Sequence, residues 1–166
     1  VGIVMDAKTG AILGMTTKPD YDLNDPNTIV NEQVLAQINA IADEQERQDA
    51  YDTALWAQRR NKAVSDIYYP GSVFKTITAS AALDSGKAPT SPTFGCTGNI
   101  VVADRTIGCA GQHVQKGITS LDFYNGLNYS CNPYFVQLGQ QMGADVFCNY
   151  LNAFGFNEKT GIDMDD

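Results

Sequence analysis

The chain has 166 residues, 43% of them apolar and 18% charged, which is enough to bury a core and too apolar for intrinsic disorder. Eleven Lys and Arg against nineteen Asp and Glu leave a formal charge of −8. Such a surface repels phosphate backbones and anionic lipid, which excludes a nucleic-acid role, and no apolar run approaches the ~20 residues of a spanning helix.

In chain order, the first element is a hairpin over residues 3–16. Two apolar stretches there flank the turn signal Asp6 to Gly10, with Ile12 and Leu13 leading the return strand. The opening residues read as a strand already under way, so the chain is expected to be excised from something longer. Residues 18–26 carry prolines and aspartates and form a loop. From Asn31 the spacing of Val34, Ile38 and Ile41 is helical, and a second helix runs through Tyr51, Leu55 and Trp56. The charged run from Asp43 to Asp49 is a solvated face. Pro70 and Gly71 break the chain, and residues 72–83 form a buried helix stopped by Gly86. A hairpin over 99–107, turning near Ala103 and Asp104, comes next. Helices are then expected over 119–127, 133–142 and 144–154, with Pro133 in a first turn where its missing N–H costs nothing. The size suits a single domain, 1–166.

Cys96 and Cys109 flank the second hairpin; the other two cysteines are Cys131 and Cys148. Two readings stand: a disulfide across the hairpin, if the domain lies where thiols oxidise, or four separate small core residues. No pair has C-x-x-C spacing and His113 is the only histidine, so no metal site or cofactor is expected.

The stretch from Pro70 to Lys75 carries the most chemistry. If Ser72 starts a helix, Lys75 lies one turn on, on the same face. A buried lysine loses its proton readily enough to serve as a base for the hydroxyl, and the helix N-terminus offers N–H groups to an oxyanion. Ser130 and Asn132, two apart in a loop between helices, can set a hydroxyl and an amide on one side. One would relay a proton to a leaving group while the other holds a substrate amide. Taken singly, each motif is also explained as a helix cap.

Together these residues resemble the penicillin-binding proteins, the serine transpeptidases and their β-lactamase relatives with S-x-x-K, S-x-N and K-T-G motifs. Residues 4–15 look like the opening hairpin of that domain, 61–75 like the approach to its nucleophile, and 154–163 like a stretch following S-x-N in class B members. The resemblance implies an α+β fold of the penicillin-binding/serine β-lactamase type. It implies that Ser72 is the acylated nucleophile, Lys75 its general base, Ser130 the proton relay, and Asn132 a binder of the peptide that also positions Lys75. The implied substrates are peptidoglycan stem peptides, cross-linked by D,D-transpeptidation, with β-lactams as covalent mimics. The implied location is the outer face of a bacterial membrane, with the anchor outside this chain. A non-enzymatic penicillin sensor of the same fold is the alternative. A β-lactamase is disfavoured, because no carboxylate motif suits a deacylating water.

Lys159-Thr160-Gly161 is not expected to be the catalytic K-T-G, which must lie on a strand beside the substrate. A helix terminus closed by Gly161 explains it instead. The chain is therefore expected to be the N-terminal part of the domain: the opening hairpin and the helical region, with later sheet strands missing. The hairpin's exposed edges would then invite self-association.

Overall fold

The computed structural model describes residues 1–88 and 93–164. They form two compact units, Val1–Tyr68 with the tail from Asp163, and Tyr69–Ile162.

In the first unit, β1 (Gly2–Met5) and β2 (Ile12–Thr16) pair antiparallel, Ile3 opposite Met15 and Met5 opposite Ile12. The Asp6 carboxylate closes their turn by accepting from the N–H groups of Lys8 and Thr9 at 2.7 and 3.0 Å. Gly10, at φ 74°, supplies the left-handed residue that turn needs. Helix α1 (Glu32–Asn39) is capped by Asn31, and α2 (Glu44–Arg59) by Asp43. Their apolar faces meet through Ile38 and Leu55, joined by Ile29. The expected helical spacing holds for Val34 and Ile38, but Ile41 lies past the helix end and Trp56 points outward, 71% exposed. The loop before α1 is tied to α2 by Tyr51 Oη donating to Asn27 O at 2.8 Å and by Gln58 donating to Thr28 O at 2.9 Å. A further short helix, α3 (Lys62–Ser65), capped by Asn61, was not anticipated.

The second unit begins with a 3-10 turn, Gly71–Phe74, that runs into α4 (Lys75–Asp84). The expected single helix from Ser72 is thus a tight turn followed by an α-helix. Short strands follow: β3 (Phe94–Gly95), β4 (Asn99–Val102), β5 (Arg105–Gly108) and β6 (Ser120–Leu121). β4 and β5 form the expected hairpin, with Ala103 at φ 53° in its turn, and β3 pairs with β6. Helices α5 (Phe123–Asn128), α6 (Asn132–Met142) and α7 (Ala144–Ala153) complete the unit.

The helix expected from Thr119 starts four residues later. Thr119 O accepts the Cys96 N–H at 2.9 Å, holding that stretch extended beside β3, and the Asp122 carboxylate caps Asn125 at 2.7 Å. Gly155, at φ 79° just past α7, closes that helix; Gly161 lies well beyond it. The core centres on α6. Tyr134 and Leu138 are fully buried against Ala81 and Ala82 of α4, Leu121, and Phe123 of α5. Alanines on α4 let the two helices approach closely, as ridge-into-groove packing requires. The fold class is α+β, with antiparallel strand pairs only among the described residues.

Candidate active site

Ser72 sits on the exposed 3-10 turn, whose leading N–H groups have no partner within the turn itself. Lys75 opens α4 and is half-buried, its ammonium 5.6 Å from the centre of the Phe135 ring. Across from it, the α5–α6 connection turns sharply at Ser130, held at φ 51°. A non-glycine residue in that region costs about 1–2 kcal/mol, which the surrounding structure must offset. The turn is fixed by the Ser130 N–H on Leu127 O at 2.9 Å and the Cys131 N–H on Gly126 O at 3.0 Å. Its result is that both oxygens of Ser130 face the lysine.

From one position Lys75 Nζ reaches Ser130 O and Asn132 Oδ1, each at 2.6 Å, Ser130 Oγ at 3.0 Å and Ser72 Oγ at 3.3 Å. Asn132 is oriented from its other side, where Nδ2 donates to Gly108 O at 2.9 Å. All four residues singled out from the sequence therefore meet at one point. The valence of the amine explains what the arrangement can do. Two of its partners, Ser130 O and Asn132 Oδ1, are carbonyl oxygens that only accept. A neutral amine has two N–H bonds for them and keeps one lone pair, which is left for a hydroxyl proton from Ser72 or Ser130.

Burial pushes the Lys75 ammonium below its usual 10.5, an effect that Cys131 and Cys109 oppose only in their thiolate forms. The neutral, proton-accepting fraction thus grows as pH rises through that lowered value. Any reaction that needs Lys75 as a base should accelerate with pH over a limb lying below 10.5 and then level off. Rates of covalent labelling measured against pH check this; a profile flat across that range would show that loss of the lysine's proton does not control the rate there.

Lys159, Thr160 and Gly161 lie in irregular, exposed chain after α7 and form no strand.

A second cluster lies directly behind the S-x-N turn. Cys96, after β3, Cys109, after β5, His113 and Cys131 bring their Sγ and ring nitrogen atoms within 4.8 Å of one another. The thiols are free, so Cys96 and Cys109 are not bridged. Cys96 and Cys131 are core residues as the other reading expects, but with Cys109 they sit together rather than separately, and Cys148 is exposed. Burial pushes the Cys131 thiol up to about 12. At Cys109 burial acts the same way but is outweighed by the Gly111 N–H, the His113 ring and the Cys131 thiol, which hold it below 9.0. The absence of local ligand spacing hid this cluster. The side chains are gathered by strand pairing and by the α5–α6 turn rather than by one loop; only the shared Cys and His types hinted at it.

The family described as Penicillin binding protein transpeptidase domain matches residues 1–166. The chain is 31% identical to stage V sporulation protein D of Bacillus subtilis, over 99% of this chain and 21% of that protein. It is likewise 31% identical to the peptidoglycan D,D-transpeptidase PbpA of Mycolicibacterium smegmatis, over 93% of this chain and 30% of that protein. Among solved structures, the D,D-transpeptidase domain of a peptidoglycan glycosyltransferase from Eggerthella lenta superposes with a TM-score of 0.69 at 30% identity. That match covers 95% of this chain and 33% of the other. Penicillin-binding protein A of M. tuberculosis, as its penicillin G acyl-enzyme complex, gives 0.64 at 26% identity over 92% and 33%. The chain thus spans less than a third of the length of these two curated relatives.

Proposed function

The chain belongs to the penicillin-binding protein transpeptidase domain family, and from that premise we propose that it carries the acylating centre of a peptidoglycan D,D-transpeptidase. One observation carries the reading: a single half-buried amine touches Ser72 Oγ, Ser130 Oγ and Asn132 Oδ1. Neutral Lys75 takes the hydroxyl proton as Ser72 Oγ attacks the carbonyl between the two terminal D-alanines of a stem peptide. Ser130 passes a proton to the departing amine, and the last D-alanine leaves. The acyl group stays on Ser72 as an ester until the amine of a neighbouring stem attacks it, forming the cross-link and returning the proton through the same groups. Asn132 holds Lys75 in place and offers its amide to the peptide.

Both compact units belong to one transpeptidase domain in this reading, which the family match over 1–166 supports. The substrate is extracytoplasmic, so the whole protein works at the outer face of the membrane and is anchored there. Among the described residues no helix is long and apolar enough to cross it. The β1–β2 hairpin presents an edge that takes a further strand, from the same protein or from another copy.

The test is to label the full-length protein with a penicillin and map the adduct by mass spectrometry. The adduct is expected on the peptide containing Ser72. An adduct on Ser65 or Ser130, or none, would overturn the assignment.

A further inference from the structure

We propose that Cys96, Cys109, His113 and Cys131 form a structural site for one Zn²⁺ ion, which fixes the Ser130–Asn132 turn from behind. Three sulfurs and one imidazole nitrogen make up the complete tetrahedral set of a closed, structural zinc site. The spacing fits. With Zn–S near 2.3 Å and Zn–N near 2.0–2.1 Å, tetrahedral geometry needs S···S edges of about 3.8 Å and S···N edges of about 3.6 Å. Cys109 Sγ lies 3.7 Å from Cys131 Sγ and 3.3 Å from His113 Nε2.

The surroundings are shaped for the same purpose. His113 is wholly buried, and its Nδ1 donates to Ile118 O at 2.6 Å. That bond selects the tautomer whose Nε2 lone pair faces the sulfurs, the usual way a ligating imidazole is held. Backbone N–H groups of Gly111 and Tyr134 donate to Cys109 Sγ and Cys131 Sγ, each at 3.4 Å, and such bonds favour thiolates. Gly111 has no room for a side chain: a Cβ there would lie 2.8 Å from His113 Cδ2 and 2.9 Å from Tyr129 O. The backbone is pressed against the ring that completes the set.

Neither of the simpler accounts covers all four residues. A disulfide joins two sulfurs and leaves the third thiol and an oriented imidazole unexplained. Ordinary core thiols need no histidine aimed at them. As the ion binds, the three thiol protons pass to solvent and three thiolates and one neutral imidazole take their place around it.

The position gives the ion its role. Cys131 is the residue between Ser130 and Asn132, and Cys109 follows Gly108, whose carbonyl orients the Asn132 amide. One ion therefore cross-links both supports of the groups that hold Lys75. Metal binding stands independently of the transpeptidase reading; only the effect on acylation rests on it.

The test uses the tag-free full-length protein, purified without chelator. Elemental analysis should find roughly one zinc per chain, lost in Cys109→Ser and in His113→Ala but kept in Cys148→Ser. Gly111→Ala should bind zinc roughly 10–100-fold more weakly. Should the ligand variants fail to fold, the unaltered protein still decides. After stripping, added Co²⁺ should give the visible bands of a tetrahedral ion and an intense thiolate charge-transfer band, displaced by Zn²⁺. Failure to retain or take up either metal would overturn the proposal, as would zinc content unchanged in Cys109→Ser, or a disulfide between any two of Cys96, Cys109 and Cys131 in protein that still reacts with penicillin. Zinc-loaded protein that forms no penicillin adduct would leave the metal site standing and sink the transpeptidase reading instead.

Discussion

Lys75→Ala is expected to slow acylation by a β-lactam about 10²–10⁴-fold, the usual contribution of a positioned general base. Ser72→Ala sets the floor, with no adduct at all. The size follows from chemistry: a neutral serine hydroxyl is a weak nucleophile, and Lys75 Nζ, 3.3 Å away, is the base placed to take its proton. Truncation also leaves Ser130 O and Asn132 Oδ1 without their shared donor, so part of the loss is positional. Lys75→Arg separates the two effects. Guanidinium keeps the charge and can still donate to both carbonyl oxygens, but it cannot give up a proton near neutral pH. It should be about as slow as the alanine variant. An arginine variant with near-normal labelling would mean that position 75 works as a fixed cation. Rates come from time courses with a fluorescent penicillin, and thermal unfolding of each variant confirms that it is folded.

What the sequence disclosed, and what it did not, follows from how each feature is encoded. The S-x-x-K pair was legible because three residues of any helical turn return a side chain to the same face, whether the turn is 3-10 or α. The break before α6 was legible because Pro133 marks a helix start. The helix begins one residue earlier, at Asn132 with Cys131 as its cap, so of Ser130 and Asn132 only Ser130 lies in the connection. Their meeting with Lys75 could not be read from spacing. It depends on the left-handed kink at Ser130, a conformation that nothing in the identity of a serine announces. The β3–β6 pair was missed because each strand is two residues long and shows no alternation to detect. The Cys96, Cys109, His113 and Cys131 cluster was missed for a related reason. Its members come from separate elements, and ligand-spacing rules detect only sites built within a loop or a single helix turn.

Gly126→Ala is expected to destabilise the protein by about 1–3 kcal/mol, against the direction that helix propensity alone would give. Gly126 lies inside α5, where alanine normally gains roughly 0.8–1 kcal/mol over glycine. Here a Cβ would lie 2.5 Å from Cγ of Tyr134 and 2.7 Å from its Cε1, distances that real atoms do not adopt. The ring has nowhere to go. Tyr134 is fully buried on α6, with Phe94 at 5.1 Å and Phe135 at 5.7 Å between ring centres. Relief must come from shifting α5 against α6, and that shift is transmitted to Ser130, because the Cys131 N–H is bonded to Gly126 O. Penicillin labelling should therefore fall together with the melting temperature, which drops by several degrees. Replacing the ring tests the cause. In a Tyr134→Ala background, itself much less stable for the lost burial, the added methyl meets neither Cγ nor ring, so Gly126→Ala should cost much less or even stabilise the helix. An equal cost in both backgrounds would show that the clash is not with Tyr134 and that glycine is needed at 126 for some other reason.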